Sequence, residues 1–435
     1  MKRPRIITSA VIAPPTPRPG LVEVSDGRRS MGGREVIALL AMVIAIVALA
    51  VDIILPAFAD IRAEFGLAAD STAAAGLITT FLLGLALSQV VYGVLADRFG
   101  RKPILYTGIA LYIVGALASA FAPGMGWLLA ARFVWGAGAA APRILTLSVL
   151  RDIYSGERMA RAMSFVMAIF ILIPVVAPSL GAVLTNWVTW RGAVGFTVVV
   201  AVVVGVWSLR LPETLRPENR LDLTWSDVAR AARIVLTNRV TVGYMLAFTA
   251  LFGSFASYLA SSELIFSDVF GLAEEFPVIF GALSVVMGVA VLINGGLVER
   301  VGLQRLIRLV MMGYLIAAVA LNVISVLTAG TPPFWLFAAG LAVVFSMHAL
   351  LIPNMNSAAM MPMASVAGTA SAIIGTVATA GGALLGALID RAYDGTVTPL
   401  SLGFLVLGVV AWFLCRSAEA GLRAVAVEPA PEPAS

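Results

Sequence analysis

Charge is scarce in this chain. Asp, Glu, Lys and Arg make up 12% of its 435 residues, about half the roughly 25% of an average soluble domain. There is one cysteine, Cys415, which excludes a disulfide scaffold. There is one histidine, His348, which leaves little from which to build a metal-centred enzyme. No G-x-x-x-x-G-K-S/T loop occurs, so ATP is not the direct energy source, and no H-E-x-x-H pair supports catalysis. Residues 1–34 lack the apolar core of roughly 7–15 residues that marks a signal peptide. They are rich in Pro, Arg and Ser and read as a disordered tail, within which Met31 is a second candidate start.

What is abundant is apolar surface, 60% of the residues. A soluble domain of this size could not hide it. A helix needs about 20 apolar residues to cross a hydrocarbon core of roughly 30 Å. Such stretches occur at 36–58, 72–95, 104–122, 128–150, 162–184, 193–210, 240–262, 276–297, 307–328, 333–353, 366–389 and 399–415. The short alternating segments of a membrane barrel are absent. The expected fold is an all-α integral membrane protein of twelve transmembrane helices, since helices satisfy their own backbone in lipid.

Basic residues orient it. With the N-terminus inside, 24 of the 29 Lys and Arg fall in cytoplasmic segments and three, Arg62, Arg191 and Arg391, in outer loops. The remaining two, Arg132 and Arg143, lie within a stretch. That bias puts both termini in the cytoplasm. The net charge of +5 is therefore a topology signal and not evidence for a nucleic-acid partner. Arginine outnumbers lysine 27 to 2, a bias of GC-rich bacterial genomes.

The expected organisation is a tail (1–34), a six-helix bundle (35–210), a cytoplasmic linker (211–239), a second bundle (240–415) and a tail (416–435). The run 427–435 also reads as disordered. In the linker, Leu221, Trp225, Val228 and Ala232 fall at helical spacing, which predicts an amphipathic helix on the inner membrane surface. The two bundles share sequence. Asp97-Arg98-Phe99-Gly100 matches Glu299-Arg300-Val301-Gly302 at an offset of 202, and Leu180-Gly181 matches Leu385-Gly386 at an offset of 205. Such halves rock about a site near the bilayer midplane.

The segment from Gly93 through Leu95, Asp97, Arg98, Gly100 and Arg101 to Lys102 resembles the loop motif of the major facilitator superfamily. Val51-Asp52-Ile53-Ile54-Leu55-Pro56 resembles the first-helix signature of its twelve-span drug:proton antiporters. With Arg132 to Gly138, Arg151-Asp152, Pro174 to Gly181, Ile352-Pro353-Asn354 and Gly368 to Ala372, the chain is similar to the Bcr/CflA drug-resistance subfamily over about residues 36–415. Trp135 stands where that family usually has Gln, and Arg143 is outside its pattern, so the substrate stays open. The resemblance implies multidrug efflux, and hence antibiotic resistance, in the bacterial inner membrane. It implies a monomer that needs no cofactor or metal and is driven by the proton gradient. Its partners would be a drug-like or amphiphilic small molecule, protons and the lipid bilayer.

Ionisable groups inside a membrane default to function. At about 1.5 Å per residue, Asp52 and Arg132 share a depth near the outer face. They would either couple proton to cargo at one electrostatic site or form a static pair. Arg143 follows Arg132 by about three turns. It would line the cavity or reach for the inner surface. Glu263 would be a cation entry point or an interfacial charge. Trp135, Tyr258 and His348 are further cavity candidates beside ordinary packing roles. Asp97 would sit against a helix N-terminus, while Arg98, Arg101 and Lys102 pair across the seam between halves, with Asp152 as one partner. That would latch the inner mouth. Pro174 and Pro178 would kink the fifth stretch, and Gly181 would allow close packing.

Two other functions stay in play. One is a carrier for a defined metabolite. The other is an intramembrane enzyme or receptor, for which the residues give little support.

Overall fold

The computed structural model describes residues 31–220 and 225–427. Most of the expected amino-terminal tail, Leu221 of the expected linker helix and residues 428–435 lie outside the described residues. Twelve helices are long and apolar enough to cross a membrane. They are span 1 (Gly33–Glu64), span 2 (Thr72–Phe99), span 3 (Arg101–Ala120), span 4 (Met125–Ile153), span 5 (Gly156–Trp187) and span 6 (Trp190–Ser208). A second set follows: span 7 (Arg239–Val269), span 8 (Phe276–Val301), span 9 (Leu303–Leu327), span 10 (Phe334–Ala364), span 11 (Ala367–Asp390) and span 12 (Thr398–Gly421). All twelve expected stretches fall on them. Large apolar side chains such as Phe121, Trp187, Leu292 and Trp335 stand exposed on the outside of the bundle, where lipid would cover them.

Span 1 breaks near its far end. A regular helix runs Gly33–Asp52, a short 3₁₀ turn covers Leu55–Ala57, and the helix resumes at Phe58–Glu64. The cause is Pro56, which has no N–H to donate to the carbonyl of Asp52. By contrast, span 5 runs unbroken from Gly156 to Trp187 across both Pro174 and Pro178.

The repeat seen in the sequence is also a packing repeat. Gly181 of span 5 lies against the backbone of Ile53 in span 1, and Gly386 of span 11 against Ser257 in span 7. A methyl group at either glycine would come within 2.1 Å or 2.8 Å of backbone atoms, so only glycine lets these helices approach so closely.

Several contacts join the halves, among them span 2 with span 7 and the three that follow. Span 2 packs on span 11, with the Thr376 hydroxyl donating to the Ala86 carbonyl at 2.8 Å. Span 5 packs on span 8, with Gly281 facing the Val175 carbonyl. Span 1 meets span 7 at the end carrying Arg62, Arg191 and Arg391. This end lies opposite the arginine-rich end, which carries Gly93–Lys102.

The connection between halves holds a helix at Trp225–Thr237. Its apolar residues Val228, Ala231 and Val235 are buried, and the helix packs on spans 7 and 11. The expected amphipathic helix exists, but protein and not lipid covers its apolar face.

Candidate functional site

A cavity of about 380 Å³ lies between the halves and reaches the arginine-rich end. Spans 2 and 4 form one wall, and spans 7, 10 and 11 the other. Gln89, Arg143 and Ser148 enter from the first wall, and Asn356, Thr369 and Thr379 from the second. Arg143 is half-buried, and among the described residues no ion pair or hydrogen bond reaches its guanidinium. The Gln89 side chain is 5% exposed, and its Nε2 has no acceptor. Of the expected cavity residues, Arg143 alone lines this space.

The opposite end is closed. Arg62 and Glu263 form a bidentate pair, Nη1 to Oε2 at 2.9 Å and Nη2 to Oε1 at 3.0 Å, with both residues buried. The pair ties the last turn of span 1 to span 7. Glu263 is therefore neither an entry site nor an interfacial charge: its carboxylate is spent on an arginine from the other half. Next to this closure, Glu64 accepts from Trp190 and Arg191 at the start of span 6.

Asp52 sits at the break in span 1, 3% exposed. No hydrogen bond or ion pair reaches its carboxyl among the described residues. It lies within electrostatic range of Tyr258 of span 7, whose buried hydroxyl is also unpartnered. A second buried carboxyl, Asp390, accepts from Ser257 at 2.6 Å and makes no ion pair among the described residues.

Arg132 does not pair with Asp52. Its Nη1 donates to the Ala50 carbonyl at 2.9 Å and its Nε to the Leu77 carbonyl at 3.3 Å. Phe81 and Trp135 face the guanidinium, each ring centre 4.7 Å away. The arginine binds three helices of one half together, with aromatic faces offsetting its buried charge. Trp135 accordingly belongs to this core, edge-on to Tyr112 at 5.5 Å, and not to the cavity. His348 and Tyr258 sit in an aromatic cluster of the other half, His348 over Phe255 at 5.0 Å and Tyr258 parallel to Phe280 at 5.7 Å.

The bond from Arg132 to Ala50 also fixes a level. Arg143 follows Arg132 by eleven residues, so it lies about 16 Å from the level of Asp52 along span 4. The expectation of one electrostatic site shared by proton and cargo is corrected. The buried acid stands at the closed end, and the cavity lies toward the other.

The loop motif forms a charge network within one half. Arg101 pairs with Asp97, and its Nε donates to Asp152 at 3.0 Å. Thr214 also donates to Asp152, at 3.0 Å. Glu213, and not Asp97, receives the N-terminus of span 3, accepting from the amides of Arg101 at 2.9 Å and Lys102 at 3.1 Å. Gly100 has a φ of +105°, and a methyl group there would stand 2.4 Å from the Glu213 carboxylate. Lys102 donates to the Leu209 carbonyl at 3.1 Å, and Arg98 lies over Phe99. Of these partners none lies on spans 7 to 12. Among the described residues, Arg101 and Lys102 thus find their partners within the first half and not across the seam, in keeping with a mouth open at this end.

Sequence reasoning missed four of these features. Arg62 had been counted only as a topology signal. Glu213, Gln89 and Asp390 were not singled out, although Leu211-Pro212-Glu213-Thr214, directly after span 6, was the available cue for the first of these.

The Major Facilitator Superfamily model matches residues 40–386. The chain is 27% identical to the Bicyclomycin resistance protein homolog of Haemophilus influenzae over 372 residues, 84% of this chain and 92% of that protein. It is 26% identical to the Chloramphenicol resistance protein of Pseudomonas aeruginosa over 347 residues, 76% of this chain and 80% of that one. Among solved structures, a D-xylose-proton symporter superposes with a TM-score of 0.69 at 13% identity, covering 88% of this chain and 97% of that one. At that identity the likeness speaks to fold alone.

Proposed function

The chain belongs to the major facilitator superfamily, and we propose that it exports drug-like amphiphilic compounds across the bacterial cytoplasmic membrane in exchange for protons. The names of its relatives, resistance proteins for bicyclomycin and chloramphenicol, support that substrate class. The excess of basic residues at the arginine-rich end supports placing that end in the cytoplasm. In this orientation the cavity takes cargo from the cytoplasm while the Arg62–Glu263 pair seals the outer side.

The observation that carries the proposal is the isolation of Asp52. A carboxylate buried without a cation or donor costs several kcal/mol or more. The closed outer seam therefore accepts Asp52 with its proton. Once ionised, Asp52 needs water, and opening the seam outward supplies it. Cargo in the cavity and a proton on Asp52 thus act on one seam from different levels. Proton loss to the cytoplasm drives opening and cargo release outward, and a proton from the acidic outside lets the acid bury again. Mutual exclusion arises through conformation and not through contact. The half-to-half contacts of span 2 with span 11 and of span 5 with span 8 are the surfaces about which such rocking would occur.

A second reading, a carrier for a defined metabolite, is favoured by one observation, Arg143 standing in a small cavity with no ion pair among the described residues. One experiment separates them. Inverted vesicles holding a pH probe are energised and given bicyclomycin, chloramphenicol or single metabolites. Drug-evoked proton efflux from the vesicle lumen that disappears in Asp52→Asn supports export. Proton movement evoked by one metabolite alone supports the carrier, and absence of any drug-evoked movement contradicts export.

A further inference from the structure

Arg143 is a cation placed in a membrane-spanning helix without a partner among the described residues. Such a residue is expensive to keep there, and its long side chain ordinarily finds a carboxylate or a carbonyl. Here it finds neither among the described residues, although it lines the cavity. On span 2, Gln89 is almost fully buried and lines the same cavity, and its Nε2 lacks an acceptor among the described residues. The Gln89 Oε1 lies against Gly375 of span 11. Two donor groups from different helices are therefore left over in one space.

The rest of the lining does not answer them. The wall from the second half is uncharged, with Phe248, Ile352 and Pro353 as its apolar part. The only carboxylates at the cavity are Asp97 and Asp152 among the described residues, and Arg101 holds both at the mouth. Asp52, the acid of the proton step, stands about 16 Å away by helix rise. A lipophilic cation would meet an unpaired arginine and no free acid, an arrangement that rejects it.

We propose that Arg143 and Gln89 form a recognition point for an anionic, acceptor-bearing group of the cargo, and that the substrate class is an amphiphilic carboxylate. The guanidinium fork matches a carboxylate bidentately. The Gln89 amide supplies a third donor, and Phe248, Ile352 and Pro353 face the apolar part of the molecule. A volume of 380 Å³ suits one compact organic anion. The inference rests on the export reading for its direction of travel and not for its binding chemistry.

The test uses three matched probes: 2-naphthoate, its methyl ester and a naphthyl-trimethylammonium. Binding to the purified full-length protein is measured in detergent with no proton gradient. It is repeated in nanodiscs of neutral lipid and of lipid containing phosphatidylglycerol, so that competition by an anionic headgroup is read separately. The carboxylate should bind about tenfold or more tighter than the ester or the cation. Arg143→Met should erase that preference while leaving ester binding in place, Arg143→Lys should keep part of it, and Gln89→Leu should weaken the carboxylate alone. Equal binding of the cation, absence of carboxylate binding, or a preference that survives Arg143→Met overturns the proposal. So does a carboxylate preference that vanishes in phosphatidylglycerol discs, which would assign the site to lipid. Failure of the export reading looks different: the carboxylate binds through Arg143, yet no probe evokes proton movement that depends on Asp52.

Discussion

Arg62 and Glu263 stand 201 positions apart in the chain and hold each other in a buried, two-bond ion pair between the first and seventh helices. The pair is the charged closure of the end away from the cavity. Removing one member leaves the other buried and uncompensated, which costs about 3–5 kcal/mol. Arg62→Met or Glu263→Gln should therefore shift the protein toward opening at that end. A reporter at buried Ser262→Cys, in a Cys415→Ser background, would react faster with a thiol reagent. Exchanging the two, Arg62→Glu with Glu263→Arg, should bring labelling back down. Unchanged labelling in both single variants would mean that packing alone seals this end.

At Gly100 the backbone itself dictates the residue. Its positive φ and the Glu213 carboxylate beside it leave no room for a methyl group. Gly100→Ala should cost at least about 1–2 kcal/mol from the backbone alone and lower the melting temperature. Glu213→Gln should lose less, since an amide oxygen can still accept from Arg101 and Lys102. Equal melting temperatures for Gly100→Ala and the parent would contradict the backbone constraint, and equal melting temperatures for Glu213→Leu and the parent would remove Glu213 from its role as the cap of span 3.

Arg132 tests the difference between structure and coupling. Its bonds to Ala50 and Leu77 and its place between Phe81 and Trp135 are contacts within one half. Arg132→Met should destabilise the protein by about 2–4 kcal/mol. Whatever folded protein remains should keep its ratio of protons to cargo. A stable variant with an altered ratio would return Arg132 to the proton step.

The twelve crossings were legible because length and apolarity are local properties, and lipid enforces both; the ends were less so, span 10 running to Ala364. The loop motif was legible as a motif. Its wiring was not, because the partner of span 3, Glu213, comes 112 residues after Arg101. The Asp52–Arg132 pairing failed for a geometric reason. Depth along a helix can be counted from sequence, but the direction of a side chain around its axis depends on neighbours. Arg132 shares the level of Asp52 and turns instead to carbonyls and aromatic faces. The same limit hid Arg62–Glu263, since two charges at helix ends look interfacial until the halves are seen to meet there. Arg143 was visible as a charge inside a helix, and the cavity that surrounds it was not.

The account turns on Asp52: its proton decides whether the end it occupies is shut. The most direct measurement places spin labels at the exposed positions Asp70→Cys and Glu274→Cys, in Cys415→Ser protein, and follows the distance across the closed end against pH. The parent should show a short distance at low pH that lengthens as pH rises, because the ionised acid cannot stay buried. With Asp52→Asn added, the distance should stay short throughout. A variant that opens over the same pH range as the parent would contradict the account and move the proton step to another acid, with Asp390 the next to test.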